Sequence, residues 1–196
     1  PYGLAGSREH SLTTAKAFGR EGSFEEAWSA VCGAARERWE MSRRQTRGQR
    51  LAFVVDEDSA RTLLDPLGQT LPVLRMVCEM GFGLDFLVYS PGCELQSLAR
   101  KIAAFPGMTE TPGFEGFADR SELAELLSEG CFRAVYSDVR NDERLTRAGK
   151  AQFSMRMFEP GLAGAVRSLE RLLGACRLPF YARYGRYLSA AGGGDE

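Results

Sequence analysis

The sequence has little histidine, no excess charge of one sign and no long apolar run. His10 is the one histidine among 196 residues, and 25 Lys and Arg stand against 26 Asp and Glu, giving a formal net charge of −1. A single imidazole remote in sequence from the predicted strand ends gives catalytic dyads built on histidine little support. The balanced charge indicates neither nucleic acid nor an anionic membrane surface as a partner. No apolar run approaches the roughly 20 residues of a membrane-spanning helix.

Cysteines are present but do not form a recognisable motif. The five of them are widely spaced, without a C-x-x-C motif or a Cys/His pair, so a structural zinc site is not indicated. The odd count and wide spacing fit reduced thiols, and the start PYGLAGSREH lacks the features of a secretory signal peptide. We therefore expect a cytoplasmic protein. Because the first residue is not methionine, the sequence is compatible with a piece of a longer protein.

Strand and helix patterns alternate through most of the sequence. Residues 50–56, RLAFVVD, are an apolar run followed by acidic residues, as is typical of a strand buried on both faces of a parallel sheet. Similar runs occur at 84–89, 132–136 and 152–157, with helical spacing between them. This order predicts an α/β three-layer sandwich with a parallel Rossmann-like sheet of about four strands. Residues 108–117, rich in Gly, Pro and Thr, are expected to form an irregular loop that can include one short strand.

We divide the chain into three parts on these patterns. Residues 1–48 are predicted to form an N-terminal helical appendage, because helical spacing dominates there. Residues 49–176 are predicted to form the Rossmann-like α/β domain, including a final helix begun by Pro160. Residues 177–196 are predicted to form a C-terminal tail, aromatic and basic at first and then small and polar.

Three helix starts carry capping signals. Ser7 is expected to cap a short first helix. Ser23 and Glu26 form an S-x-x-E pattern that predicts a capping box before a long second helix. Asp119 and Glu122 predict a similar arrangement before a later helix.

A basic segment lies between the helical head and the first strand. It covers residues 41–50 and contains four arginines, Arg43, Arg44, Arg47 and Arg50. Two interpretations stay open. The arginines can contact an anion or a partner, or they can be a solvated helix end whose cations oppose the negative end of the helix dipole.

We take the residues that directly follow the strands as candidate site residues. Ligands of open parallel sheets bind outside the carboxyl ends of the strands. On this basis Asp56, Ser90, Cys93 and Ser137 are the residues predicted to line a cleft. A dinucleotide is not expected there, since the turn after the first strand lacks G-x-G-x-x-G and its acidic residues would repel a pyrophosphate. Cys93 can be a thiolate ligand or nucleophile near a helix start, or a small residue in a turn.

A second group of charged residues follows the strand at 132–136. Asp138 and Asp142 lie near Arg140 and Arg144 in the sequence. They can bind magnesium, or they can form a loop held by salt links, which is the commoner outcome for such residues.

Several short motifs, taken in order, resemble one known family. Residues 1–4, PYGL, are similar to a Pro-hydrophobic-Gly entry, and residues 48–53, GQRLAF, to a G-K-R-hydrophobic strand opening. Residues 56–58 stand at a D-P-D-like turn, and residues 161–165, GLAGA, at a G-Y-x-G-A-like helix start. Over almost its whole length the chain resembles the C-terminal third of the nitrogenase component 1 family, especially β-type subunits and their cofactor-assembly relatives.

The resemblance implies a scaffold without its own cluster. Residues 153–160 contain no histidine, so the imidazole that anchors the large metal cofactor in α-type subunits has no counterpart, and the family's cluster-binding cysteines belong to its N-terminal region. The implied role is a structural and subunit-contact domain that is not catalytic alone and carries no cofactor. The parent would be an oxidoreductase component or a metallocofactor-assembly scaffold with an iron–sulfur or related metallocluster. Its partners would be a second subunit, in a homo- or hetero-oligomer, and a reductase.

Two other readings stay open. One is a standalone Rossmann-like small-ligand-binding protein or enzyme, with its ligand against Asp56, Ser90, Cys93 and Ser137. The other is a purely structural contact module, favoured if Trp28, Trp39 and the aromatics of residues 180–187 form an exposed apolar patch.

Overall fold

The computed structural model describes residues 1–56, 73–91, 99–100, 102–104, 110–137, 139, 142–178 and 183–184. Six α-helices and five strands lie entirely within these residues. The helices are α1 (Gly3–Ala17), α2 (Phe24–Arg44), α3 (Val73–Met80), α4 (Arg120–Glu129), α5 (Glu143–Arg147) and α6 (Gly161–Arg177). The strands are β1 (Arg50–Asp56), β2 (Gly83–Tyr89), β3 (Gly113–Phe117), β4 (Ala134–Tyr136) and β5 (Ala151–Phe153).

Within the part of the chain that the structure describes, the sheet is parallel throughout and has five strands in the order β3-β2-β1-β4-β5. The predicted α/β class is confirmed, and the predicted number of about four strands is one too low. The additional strand, β3, comes from the segment expected to be mainly loop. Its sequence, GFEGF, contains two glycines, which weaken a strand signal. The strand is held at the sheet edge by Phe114, which stacks on Phe86 with ring centroids 5.2 Å apart.

The central strand is β1, and its predicted bounds are confirmed. It pairs with β2 along its whole length and with β4 over Leu51, Ala52 and Phe53. Successive side chains of a strand point to opposite faces, and both faces of β1 are buried. Phe53 belongs to one core cluster and Ala52 to the other.

Helices cover both faces of the sheet, which gives the predicted three layers. Residues of α2, α3 and α6 share the core cluster of Phe53, and residues of α4 and α5 share the cluster of Ala52. The chain crosses from one side of β1 to the other between β3 and β4. The fold is therefore wound in both directions from β1.

The two N-terminal helices pack on the last helix. Both α1 and α2 contact α6, and Arg38 of α2 donates two hydrogen bonds, of 2.8 and 2.9 Å, to the carboxylate of Glu170 in α6. The chain start is fixed at the same place, because the Gly161 N–H donates to the Pro1 carbonyl at 2.8 Å. The division into residues 1–48, 49–176 and 177–196 stays a prediction.

One of the three capping predictions is confirmed. The Asp119 carboxylate accepts hydrogen bonds from the Ser121 and Glu122 N–H groups at 2.7 and 3.0 Å. Ser23 precedes α2 but makes no side-chain cap, because a 3₁₀ turn runs directly into the helix and leaves Ser23 with ψ 0° instead of extended backbone. Ser7 lies inside α1, where its hydroxyl donates to the Gly3 carbonyl at 2.6 Å. The predictions for Ser7 and Ser23 are therefore wrong.

The difference between Asp119, which caps a helix, and Ser23, which does not, is testable. Asp119→Ala removes the acceptor of two helix N–H groups, so the free energy of unfolding should fall by about 1 kcal/mol. Ser23→Ala removes no cap and should change it by less than about 0.5 kcal/mol. Urea unfolding followed by circular dichroism measures both. Equal losses for the two variants would contradict the assignment of the cap to Asp119.

The strand predicted over residues 152–157 is shorter in the structure. β5 ends at Phe153, and Met155–Met157 form a 3₁₀ turn. The helix begun by Pro160 is confirmed, with Pro160 as its N-cap and Gly161 at φ +79°. Because such a φ is in the left-handed region, glycine suits this entry to α6.

Candidate functional site

The strand order defines a crevice at the carboxyl edge of the sheet, between β1 and β4. From β1 the chain proceeds to β2 on one side, and from β3 it crosses to β4 on the other. Such a reversal leaves an opening in which ligands of doubly wound folds bind. The last β1–β4 pair is Phe53 with Tyr136, so residues 54–56 of β1 extend beyond β4 at this edge.

The structure brings two of the four predicted site residues to adjacent positions at the sheet edge. Asp56 pairs with Tyr89 at the end of β2, and Ser90 follows directly. Ser137 follows Tyr136, so it lies about two residues, or roughly 6–7 Å, short of Asp56 along the strand direction. Cys93 lies outside the described residues. Asp56 and Ser90 are thus neighbours at the sheet edge, and Ser137 lies deeper.

The Ser137 side chain is engaged in holding its own loop. Its hydroxyl donates to Asp142 Oδ2 at 2.9 Å and accepts from the Val139 N–H at 3.3 Å. Gln152 of β5 donates to the Ser137 carbonyl at 2.9 Å and accepts from the Asp142 N–H at 3.2 Å. Among the described residues, Ser137, Asp142 and Gln152 are therefore hydrogen-bonded to one another.

Asp142 is the centre of this network. It is 5% exposed, and Arg144 binds both of its carboxylate oxygens, through Nε at 2.9 Å and Nη2 at 2.7 Å. Hydrogen bonding to Arg144 lowers the pKa of Asp142, and the Ser137 hydroxyl adds to this effect against the opposing effect of burial. Of the two interpretations offered for these residues, the salt-linked loop describes Asp142 and Arg144, whereas Asp138 and Arg140 lie outside the described residues.

The lowered pKa of Asp142 predicts a specific pH dependence. Since the folded pKa lies below the unfolded value, Asp142 contributes stability above the unfolded pKa of about 3.9, and this contribution is lost as the pH falls through the folded pKa. Asp142→Asn should therefore be less stable than the parent at pH 7, with the difference shrinking towards pH 2. Urea unfolding at several pH values tests this. A difference that is constant with pH would show that the carboxylate charge is not involved.

The described residues show neither a metal-binding group nor a membrane span. Nowhere in the described ranges do three or more His, Cys, Asp or Glu side chains form a group that could hold a metal ion. No helix within those ranges is long and apolar enough to cross a bilayer.

A second concave region was missed by the sequence analysis. It is a cleft of about 540 Å³ between α1, α2, α3 and α6, and its lining includes Arg8, Trp28, Arg43 and Arg75. The sequence marked Trp28 as part of a helix face and Arg43 as part of a basic segment, both on α2, but Arg8 and Arg75 reach the same cleft from α1 and α3. No local signal could have brought them together.

The exposed apolar patch considered for a contact module does not include Trp39. Its side chain is 2% exposed and belongs to the core cluster beside the sheet. Trp28 is half-buried and stacks on Phe24 with ring centroids 5.8 Å apart. Most of residues 180–187 lie outside the described residues.

The fold places the chain in the class of doubly wound, Rossmann-like α/β proteins. No family model matches the sequence, and no curated protein matches it. A solved structure titled "Nitrogenase Cp1 at pH 6.5" is similar, with a TM-score of 0.53 and 16% sequence identity. The similarity covers 90% of this chain and 38% of that chain. The chain thus spans well under half the length of this nitrogenase component 1 protein and resembles part of it in fold.

Proposed function

We propose that the chain is the C-terminal α/β domain of a nitrogenase-like component 1 protein. In this role it is a structural and subunit-contact domain without a cluster of its own. The parent protein is a cytoplasmic oxidoreductase component or a metallocofactor-assembly scaffold that carries an iron–sulfur or related metallocluster. Its partners are a second subunit and a reductase.

The observation that carries this proposal is the extent of the structural similarity. Rossmann-like sheets occur in many unrelated proteins, so similarity confined to the sheet would say little about function. Residues 49–176 are 128 of the 196 residues, about two thirds of the chain, whereas the similarity covers 90%. The structural similarity therefore extends to residues outside the predicted Rossmann-like domain. The motifs of the sequence resemblance point independently to the same family.

The turn before α6 also supports a structural role. In the resemblance this turn corresponds to the place where α-type subunits have a metal-anchoring imidazole. Here the Glu159 carboxylate forms ion pairs with Arg167 and Arg171 of α6, and the Glu159 N–H donates to the Ser168 hydroxyl at 2.8 Å. The turn is thus tied to the helix by the chain's own charged groups.

The proposal is tested by reconstitution. A polypeptide of residues 1–196 and the product of the complete gene are incubated anaerobically with ferrous iron and sulfide. Iron, sulfide and thiolate-to-iron absorption are then measured per polypeptide. We expect the chain to remain free of stoichiometric cluster and the complete product to bind one. A stoichiometric cluster on the chain by itself would overturn the assignment of a cluster-free domain.

A second candidate function is a standalone small-ligand-binding protein or enzyme. The observation that favours it is the placement of Asp56 beside Ser90 at the carboxyl edge, where such ligands bind. The gene distinguishes the two candidates. A reading frame that continues upstream of Pro1 with spaced cysteines supports the nitrogenase-like domain, and translation that starts just before Pro1 supports the standalone protein.

A further inference from the structure

A cleft between α4 and α5 has the size of a small-molecule site. Its volume of about 770 Å³ falls within the roughly 300–1,000 Å³ usual for ligand pockets. It lies on the face of the sheet that carries the core cluster of Ala52, to which both helices contribute. The proposed structural role does not use this α4–α5 cleft, and the inference below does not depend on that role.

The apolar side chains that line the α4–α5 cleft are all aliphatic. Leu123 and Leu127 of α4 are 4% and 1% exposed, and Ala124 and Ala148 line the cleft beside them. Val139 also belongs to the lining, although 58% of it is exposed. Because the removal of aliphatic surface from water is favourable, this lining favours a ligand with an aliphatic body.

The charged part of the lining carries an excess of positive charge. Three arginines, Arg120, Arg144 and Arg147, line the cleft together with one carboxylate, that of Asp142. Arg144 and Asp142 neutralise each other, because the guanidinium group of Arg144 binds both carboxylate oxygens. Arg120 and Arg147 are therefore the two cations that the lining itself does not neutralise.

Both of these cations can accept an acidic partner. Arg120 forms no ion pair with any residue in the described part of the chain. Arg147 contacts Glu143 at 3.3 Å, but the two side chains are 58% and 81% exposed, and ion pairs between such exposed side chains are weak. An acidic group in the cleft can therefore compete for Arg147 and pair with Arg120.

The fold gathers the two cations at one end of the cleft. α4 follows β3 and α5 follows β4, so both helices begin at the carboxyl edge of the sheet. Arg120 is the first residue of α4. The guanidinium group of Arg147 reaches back one turn to Glu143, the first residue of α5, as expected because helical side chains lean towards the N-terminus. The cations therefore lie at the carboxyl-edge end of the cleft.

The aliphatic lining begins within one helical turn of the cations. Leu123 and Leu127 follow Arg120 by three and seven residues, which places them about 5–10 Å further along the axis of α4. The part of α4 that lines the cleft runs from Arg120 to Ser128, a distance of about 12 Å. One small molecule can therefore reach both the cations and the aliphatic lining.

We propose that the α4–α5 cleft binds a small amphiphilic anion with an aliphatic body. The acidic group pairs with Arg120 and Arg147, and the body contacts Ala124 and covers Val139. The chemical class is that of medium-chain alkyl carboxylates, sulfates or phosphates. An inorganic anion would leave the aliphatic lining exposed, and an uncharged alkyl compound would leave the cations without a partner.

Methyl groups of the lining report binding directly. The polypeptide of residues 1–196 carries ¹³C in its Ala and Val methyl groups, and single substitutions assign the signals of Ala124, Ala148 and Val139. The probes are octanoate, the uncharged octanamide, and acetate. We expect octanoate to shift these three signals saturably. Octanamide lacks the charge and acetate lacks the aliphatic body, so each should bind at least about tenfold more weakly.

Matched variants test the two halves of the cleft. Arg120→Gln should weaken octanoate binding about tenfold, the effect of losing one charged hydrogen bond. Arg20→Gln removes the same charge between α1 and α2 and should change binding less than about twofold, because salt screens distant charges. Ala124→Phe fills the cleft without changing its charge and should abolish saturable binding. Ala30→Phe makes the same change at an exposed position of α2 and should preserve saturable binding.

Circular dichroism establishes that each variant is folded. Because Arg120→Gln and Ala124→Phe change different properties of the cleft, either one keeps the test valid if the other does not fold. The proposal would be overturned by an absence of saturable octanoate binding, or by equal binding of octanamide or acetate. An equal loss in Arg20→Gln, or saturable binding retained in Ala124→Phe, would overturn it as well.

Discussion

Phe53→Ala is expected to lower the free energy of unfolding by about 3–5 kcal/mol, the range for removal of a buried phenylalanine side chain. Phe53 is fully buried in the middle of β1. Its ring stacks on Phe86 of β2 and on Tyr136 of β4, both at 5.4 Å between centroids, and meets Phe153 of β5 edge-on at 5.8 Å. Because Phe53 joins the strands on both sides of the crevice, its loss leaves a cavity that they share.

The measurement is urea unfolding followed by fluorescence and circular dichroism. Phe18→Ala is the matched control, since it removes the same side chain at a position that is 77% exposed. It should change stability by no more than about 0.5 kcal/mol. If Phe53→Ala lowered the free energy of unfolding by less than about 2 kcal/mol, neighbouring side chains would be filling the cavity. The rings around Phe53 would then not be the rigid centre of the sheet.

The parts of the fold that sequence predicts well are those set by local chemistry. β1 was placed correctly because a strand buried on both faces needs an uninterrupted apolar run, and RLAFVVD is one. The cap at Asp119 was placed correctly because its acceptor and donors lie within three residues of one another. The strand β3 was predicted only as one short strand that an irregular loop could include, because its glycines suggest loop when the neighbouring strand is not known.

The start of α1 illustrates why other boundaries could not be predicted. Ser7 has the right side chain for a cap, yet the helix begins four residues earlier, at Gly3. The group that accepts from its first turn is Glu79 of α3, which is distant in sequence. A capping carboxylate supplied by another helix leaves no mark in the local pattern, so the sequence favoured the nearer serine.

The candidate site shows the same limit. The rule that ligands gather at strand ends placed Asp56 and Ser90 at the same edge from sequence alone. The rule could not show that Ser137 is hydrogen-bonded to Asp142, or that four helices, three of which contribute arginines, form a second cleft. Both facts depend on contacts between elements whose packing no single segment encodes.

Within α6, the two substitutions Gly164→Ala and Gly174→Ala are expected to have opposite effects on stability. A Cβ at Gly164 would lie 2.7 Å from the Glu159 carbonyl oxygen and 2.8 Å from its carbon. These are backbone atoms of the turn that leads into the helix, and Glu159 is itself held by Ser168. The turn can yield only by moving, so Gly164→Ala should cost about 1–3 kcal/mol, as overpacking usually does.

At Gly174 no atom beyond the adjoining residues and the helix's own backbone lies within 4 Å of the added Cβ. Alanine there gains the higher helix propensity without a clash, so Gly174→Ala should stabilise the chain by about 0.5–1 kcal/mol. Thermal and urea unfolding of the two variants measure the contrast within one helix. If Gly164→Ala were also stabilising, the turn at Glu159 would be able to move away from α6. The close approach would then not be what requires glycine at the start of this helix.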